Sequence, residues 1–300
     1  MKEPNASAQR EDLRREAGAA AAGLSPLLVE AERVAQTVAA GLHGRRRAGP
    51  GETFWQHRPY AFGDSAGLID WRQSARTTGR LYVRQNEWEA AATVWIWRDP
   101  SRSLDYSSGS GLPLKRRRAD VLAAALALLL SQGGERIGRI GPFPRVFAGR
   151  TAGERLCEEL SADAFDDAAS IPPDAPVRPF SIVVYISDFF CDFDALSAAA
   201  ARAAALGAGG VMVKVNDPAE ELFPFAGRIE FEDYESSARL TLGDAARLGD
   251  DYRRAFAEHG EQLSSLCRNL RWPLLRHRTD APASVALMAL YAALNPRGAL

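Results

Sequence analysis

The chain has 300 residues, 46% of them hydrophobic and 25% charged, with a formal net charge of −1. Those values suit a globular protein with a sizeable core, and the near-neutral balance gives no global pull toward nucleic acid or a membrane surface. The balance conceals an asymmetry, because residues 1–150 carry 23 Lys and Arg against 15 Asp and Glu, whereas residues 151–300 carry 14 against 23.

Halves of opposite sign can dock on each other or offer a basic face to an acidic partner, and can equally be solvated faces that differ in sign. Cys157, Cys191 and Cys267 are far apart, odd in number and without zinc spacing, so they read as reduced thiols of a cytosolic protein. Residues 1–15 are charged where a signal peptide needs an apolar stretch. The longest apolar run, 121–130, is well short of the roughly 18 residues a membrane span requires. The expectation is a cytoplasmic protein with no membrane span.

Residues 1–24 are rich in Ala, Glu and Arg with no sustained apolar face, and read as frayed or disordered. Ser25 and Pro26 then supply an N-cap and a first-turn proline. Leu27, Leu28, Ala31, Val34, Ala35, Val38 and Leu42 follow at helical spacing, which predicts an amphipathic helix over 26–42. After a Gly- and Arg-rich loop at 44–51, residues 52–89 read as short strands and tight turns, with a strand at 81–85. Helix and β-rich segment together make a first unit, residues 25–90.

From residue 91 to 300 the pattern becomes a regular alternation. Strand 91–98, helix 115–132, strands 136–140 and 145–148, helix 152–160, strand 181–187, helix 193–206 and strand 210–215 come in turn. Shorter strands at 228–231 and 238–242, a long helix 244–269, a strand at 272–276 and a helix 283–294 complete it. Strands such as Ile182, Val183, Val184, Tyr185 and Ile186 are apolar throughout and so buried on both faces. Alternating with helices, they predict an α/β fold with a doubly wound, mostly parallel sheet.

In such sheets ligands lie at the carboxyl ends of strands, where the winding reverses. The buried strand 93–97 runs into Asp99, Pro100, Ser101, Arg102 and Ser103. Three oxygen side chains at alternate positions converge if the loop curls, and carboxylate and hydroxyl oxygens suit a hard cation such as Mg²⁺. The second buried strand ends at Asp188, which places a further carboxylate at the same edge. Thr151 stands at a loop-to-helix junction and offers either a third hydroxyl or a helix cap. Arg98 and Arg102 bring positive charge close to the loop.

The D-x-S-x-S pattern, the threonine of a later loop and the Asp after a later buried strand resemble the metal-ion-dependent adhesion site of von Willebrand factor A domains. The resemblance implies Ser101 and Ser103 in direct contact with Mg²⁺ or Mn²⁺. It implies Asp99 and Asp188 bound directly or through water, Thr151 as the switchable ligand, and an acidic side chain of a client completing the shell.

The preceding segment is distinctive: Arg58, Pro59, Tyr60, Gly63 and Asp64, then Ile69, Asp70, Trp71, Arg72, Ser74 and Arg76, then Gly79 to Arg84. With Asn216, Asp217, Pro218 and Glu220, and with His277, Thr279, Asp280 and Pro282 near the end, it resembles the family called domain of unknown function 58. In that family such a segment precedes a von Willebrand factor A-like domain. The resemblance covers roughly residues 40–295 and implies partnership with a MoxR-type AAA+ ATPase. Leu104 departs from the usual Met of the family.

Arg58, Arg72 and Arg76 beside Asp64 and Asp70 read as an ion-pair network that pins turns, over a floor of Trp55, Trp71 and Trp88. A phosphohydrolase would need a second carboxylate where Ser101 stands, and His43, His57, His259 and His277 lack ligand or triad spacing. Lys115, Arg116, Arg117 and Arg118 open a helix, where positive charge opposes the macrodipole, so they serve an acidic partner or the nearby Asp cluster. No interleaved aromatics support nucleic acid. The sequence thus points to a non-enzymatic, metal-assisted binding protein, with a metal-free scaffold and a metal-dependent hydrolase as rivals.

Overall fold

A computed structural model of the chain describes residues 26–42, 53–60, 69–76, 80–87, 93–109, 111–163, 170–232, 239–242 and 244–294. The reading of 1–24 as frayed falls outside them. The helices are α1 (Pro26–Leu42), α2 (Trp71–Ser74), α3 (Lys115–Gln132), α4 (Ala152–Ala162), α5 (Phe193–Ala205), α6 (Pro218–Leu222), α7 (Gly249–Leu270) and α8 (Ala283–Leu294). The strands are β1 (Thr53–Pro59), β2 (Tyr82–Glu87), β3 (Thr93–Arg98), β4 (Arg136–Arg139), β5 (Arg145–Phe147), β6 (Ile182–Ser187), β7 (Gly209–Asn216), β8 (Ile229–Glu232), β9 (Arg239–Leu242) and β10 (Leu274–Arg278).

Six strands form the main sheet in the order β10-β7-β6-β3-β4-β5. Every pair is parallel except β4 with β5. From β3 the chain winds outward to β4 and β5, then crosses back to β6 and winds the other way through β7 to β10. The α/β, doubly wound, mostly parallel sheet expected from the sequence is therefore the fold observed, and its switch point lies between β3 and β6. Separate antiparallel pairs are formed by β1 with β2 and by β8 with β9.

Both faces of the sheet are covered. On one face lie Val94, Ile96, Ile137, Val184, Ile186 and Val213, packed with the almost wholly buried α3 and with apolar residues of α1, α4 and α8. Leu27, Leu28, Ala31, Ala35 and Val38 of α1 belong to this same core, so the first helix closes the outer side of the main layer. Trp95, Trp97, Val183, Tyr185 and Met212 point to the opposite face and meet α5 and α7. The alternation follows from the two-residue period of a strand, which sends Trp95 and Ile96 to opposite sides.

Some boundaries move for local reasons. The long final helix expected from 244 begins as a short 3₁₀ turn at Ala245–Leu248 and becomes α-helical only at Gly249. The last strand is shifted two residues onward because α7 runs to Leu270 and Arg271 turns with φ +57, with Pro273 O accepting from Met212 N at 3.0 Å. In the 69–84 region Asp70 caps α2 by accepting from Gln73 N, and Ser74 Oγ accepts from Tyr82 N at 2.9 Å. Trp71 is 64% exposed and so is no apolar floor, while residues 61–68 and Trp88 lie outside the described residues.

Helix α4 lies against α3 at Gly153, where a Cβ would stand 2.7 Å from Leu128 Cα and 2.8 Å from Leu128 N. Backbone cannot yield as a flexible side chain does. Gly153→Ala is therefore expected to lower stability by about 1–3 kcal/mol, although alanine is the better helix former by about 1 kcal/mol. Urea unfolding of the variant checks this, and a stability gain would contradict the close approach.

Candidate metal and binding site at the switch point

The backbone brings Asp99 and Asp188 to the place that the winding dictates. Asp99 follows β3 directly, and Asp99 N donates to Ile186 O at 3.0 Å, extending the β3–β6 pairing by one residue. Both carboxylates are buried, at 1% and 0% exposure. The loop curls because Ser101 N donates to Asp99 Oδ1 at 2.9 Å, and a 3₁₀ turn at Arg102–Leu104 then returns Ser103 to the same point. Leu104, where the family usually has Met, is fully buried in the core beneath the loop.

Ser101 Oγ and Ser103 Oγ are 2.9 Å apart, and Ser103 Oγ donates to Asp188 Oδ1 at 3.2 Å. Ser187 Oγ, fully buried, donates to Asp99 Oδ2 and accepts from Phe189 N. Four of the five expected ligands, Asp99, Ser101, Ser103 and Asp188, thus form one cup. Thr151 is not among them: it is exposed, and its side chain caps nothing although it stands at the N-terminus of α4. The physical reason is strand direction. Since β5 runs antiparallel to β4, the chain leaves β5 at the edge of the sheet opposite the cup. It returns only through α4, after which Asp163 pairs with Arg98 at the cup's own edge.

The two arginines feared as intruders do not enter. Arg102 is exposed. Arg98 is turned away, its Nε 2.8 Å from Asp120 and its Nη2 2.9 Å from Asp163. The cation that does enter is Lys115, 1% exposed, whose Nζ donates to Asp188 Oδ2 at 2.7 Å and to Glu220. Burial alone would lower its pKa, but Asp188 and Glu220 more than reverse that and hold it above the ordinary lysine value. The basic start of α3 is accordingly spent on internal contacts, with Arg117 on Glu30, Arg118 on Thr279 O and Arg116 on Asp163 O.

Among the described residues no cation pairs with the Asp99 carboxylate. Burial and then the nearby Asp188 push its pKa up to about 6, against the pull of the Ser187 and Ser101 hydrogen bonds. Glu220 belongs to a capping box at α6, where it accepts from Asp217 N while Asp217 accepts from Ala219 N. Phe189 is buried in the core with φ +59, and Phe190 is half-buried, stacked on His259 at 5.1 Å between centroids.

Two spacings in the cup are those of ordinary hydrogen bonds and lie close to the oxygen–oxygen edge of a small cation's shell. Bonds of about 2.0–2.1 Å in an octahedron place neighbouring oxygens about 2.9 Å apart. The Ser101–Ser103 and Ser103–Asp188 spacings, 2.9 and 3.2 Å, are close to that edge. Lys115 takes Asp188 Oδ2, while Oδ1 accepts from Ser103 Oγ and from Phe190 N at 3.1 Å. One ammonium also stands against three carboxylates, those of Asp99, Asp188 and Glu220. Among the described residues no three His, Cys, Asp or Glu side chains gather as a metal group, and here two of the four donors are serine hydroxyls.

A family model described as "Protein of unknown function DUF58" matches residues 56–262. This chain belongs to that family. Uncharacterized proteins of Mycobacterium bovis and Mycobacterium tuberculosis are 32% identical to this member over 270 residues, covering 84% of the chain and 82% of each relative. Among solved structures it is similar to the conserved hypothetical protein BatB of Bacteroides thetaiotaomicron, at 13% identity and a TM-score of 0.40. It is likewise similar to an aerotolerance-related membrane protein of Bacteroides fragilis, at 16% and 0.40. Each likeness covers 68% of this chain and 99% of the other. An uncharacterized membrane spanning protein of Vibrio fischeri matches at 13% identity and 0.20, over 69% of this chain and 98% of that one.

The cytoplasmic expectation is withdrawn; two of these neighbours are described as membrane proteins, which is said of those proteins and not of this chain. Its weakness was physical. Unpaired cysteines, a charged N-terminal stretch and the want of a long apolar run do not exclude a protein that sits at a membrane without crossing it. Among the described residues no helix is long and apolar enough to cross a membrane.

Proposed function

We propose that this DUF58 protein is a non-enzymatic binding module that holds a divalent cation, Mg²⁺ or Mn²⁺, in the cup of Ser101, Ser103 and Asp188 and uses it to take an acidic side chain of a partner. The observation that carries this reading is the spacing of three convergent oxygens, 2.9 and 3.2 Å, at the switch point of the sheet. Asp99 acts from behind: it fixes the loop through Ser101 N and contributes negative charge. A bound cation supplies an open coordination position at which a partner carboxylate can bind. Family resemblance supports a MoxR-type AAA+ ATPase as the working partner, with the module serving as adaptor in protein complex maturation.

Calorimetric titration with Mg²⁺ and Mn²⁺ tests the reading. Saturable binding is expected in the wild type, and its loss in the double variant Ser101→Ala/Ser103→Ala, which keeps both carboxylates and the Lys115 pair. Equal binding in wild type and variant, or none in either, overturns the cup as a cation site. The second reading, a metal-free scaffold, is favoured by one observation, the Lys115 ammonium already bound to Asp188. It predicts that partner capture is indifferent to chelator.

A further inference from the structure

A second cleft, of about 510 Å³, lies beside the cup between the carboxyl ends of β7 and β10 and the facing side of α7. Lys214, Asn216, Glu221, Phe256, Arg276 and Arg278 line it. Lys214 is 1% exposed. Its ammonium lies 4.5 Å from the Phe256 centroid, 5.0 Å from that of Phe190 and 3.2 Å from His259 Nδ1, and among the described residues no carboxylate pairs with it. Burial lowers its pKa to about 8. Arg276 likewise donates only to neutral oxygens, Gly260 O at 3.1 Å and Ser264 Oγ at 2.8 Å. Arg278, by contrast, is taken up by Asp280 and Glu221. Asn216 is 2% exposed; its Nδ2 donates to Glu221, and its Oδ1 is buried without a partner.

A buried ammonium without a counter-ion is costly, and such groups persist where a ligand supplies the missing charge. Two cations lacking carboxylates call for an anion, and the orphan Asn216 Oδ1 calls for an N–H donor. The acidic Glu221 and Glu261 on the lining weigh against a doubly charged phosphate. A peptide carboxylate brings one negative charge together with amide N–H groups, and so satisfies all three features. We propose that this cleft binds a carboxylate of an acidic peptide segment between Lys214 and Arg276, with Asn216 accepting from the peptide backbone. The partner class is the one proposed for the cup, but the contact needs no cation and stands or falls separately.

The test is fluorescence anisotropy of a labelled, C-terminally amidated hexapeptide with a single glutamate among neutral residues, titrated with the full chain in EDTA and again in Mg²⁺, with the same peptide carrying glutamine in its place as control. Saturable binding in EDTA is expected, at least tenfold weaker in Lys214→Met and in Arg276→Gln and unchanged in Ser101→Ala/Ser103→Ala. Lys214→Met removes a buried charge, so its melting temperature should equal or exceed that of the wild type, and Arg276 is exposed, which guards both variants against simple unfolding. Equal binding by folded Lys214→Met, equal binding of the glutamine peptide, or no binding in EDTA overturns the cleft. Binding that appears only with Mg²⁺ and is lost only in the serine variant would leave the cup standing and the cleft refuted.

Discussion

Lys115→Met is expected to lower the stability of the protein by about 3–5 kcal/mol. The ammonium is enclosed with Asp188 and Glu220, both of which it contacts, and the Asp188 side chain is as deeply buried as its own. Methionine matches the volume of the lysine stem but leaves two carboxylates facing each other without a counter-ion. Surface ion pairs are worth about 1 kcal/mol or less, so the size of the loss discriminates between a structural linchpin and an ornamental pair. Adding Glu220→Gln to Lys115→Met should recover part of the loss, because one stranded charge is removed while the capping contact to Asp217 N is retained. Urea unfolding of the two variants checks both statements. A loss near 1 kcal/mol for the single variant would mean that Lys115 is not the buried counter-ion of the cup.

Arg98→Met should produce a loss of similar size, about 3–5 kcal/mol, with no gain in affinity for Mg²⁺. The guanidinium is 1% exposed and serves Asp120 and Asp163 together, with Nη1 donating to Asp99 O at 3.0 Å. Burial already outweighs the pull of Arg98 on Asp120 and pushes that carboxyl to about 6, so removing the arginine leaves it only the pull of Arg116 and Arg117. Were Arg98 opposing a cation in the cup, its removal would strengthen Mg²⁺ binding. Its guanidinium is taken up by Asp120, Asp163 and Asp99 O, and calorimetry beside denaturation separates the two effects. Tighter Mg²⁺ binding with undiminished stability would reverse this assignment.

The sequence made the sheet legible because its strands announce themselves. Val183 to Ile186 and Val94 to Trp97 are continuous apolar runs that only a doubly covered sheet can bury, and both meet an aspartate at their carboxyl ends. The rule that ligands gather where winding reverses then sufficed to join Asp99 to Asp188 across 89 positions. Thr151 lies away from the cup for a reason the sequence also contains. Strands at 136–140 and 145–148 are joined by too few residues for a parallel crossover, so they must pair antiparallel. The loop that follows is thereby sent away from the cup. The stretch that does return to the cup's edge is the one after α4, where Asp163 pairs with Arg98.

The role of Lys115 was legible only in part. Four basic residues opening a helix demanded acceptors, but which of them turned inward depended on helix phase and on the distant capping box at Asp217 and Glu220, a contact across about a hundred residues with no local signature. Lys214 gave less warning still. A single lysine inside the apolar strand Val211 to Val215 reads as an interruption, and only the placement of Phe190, Phe256 and His259 around it shows that the charge is enclosed.

The cup itself is tested most directly by diffraction from crystals grown with saturating Mn²⁺, recorded so that the ion's anomalous signal is visible. The account predicts one strong peak within bonding distance of Ser101 Oγ, Ser103 Oγ and Asp188 Oδ1, with Lys115 still on Asp188 Oδ2. Absence of any peak there, with the serine hydroxyls and Asp188 in their present hydrogen bonds, would contradict it.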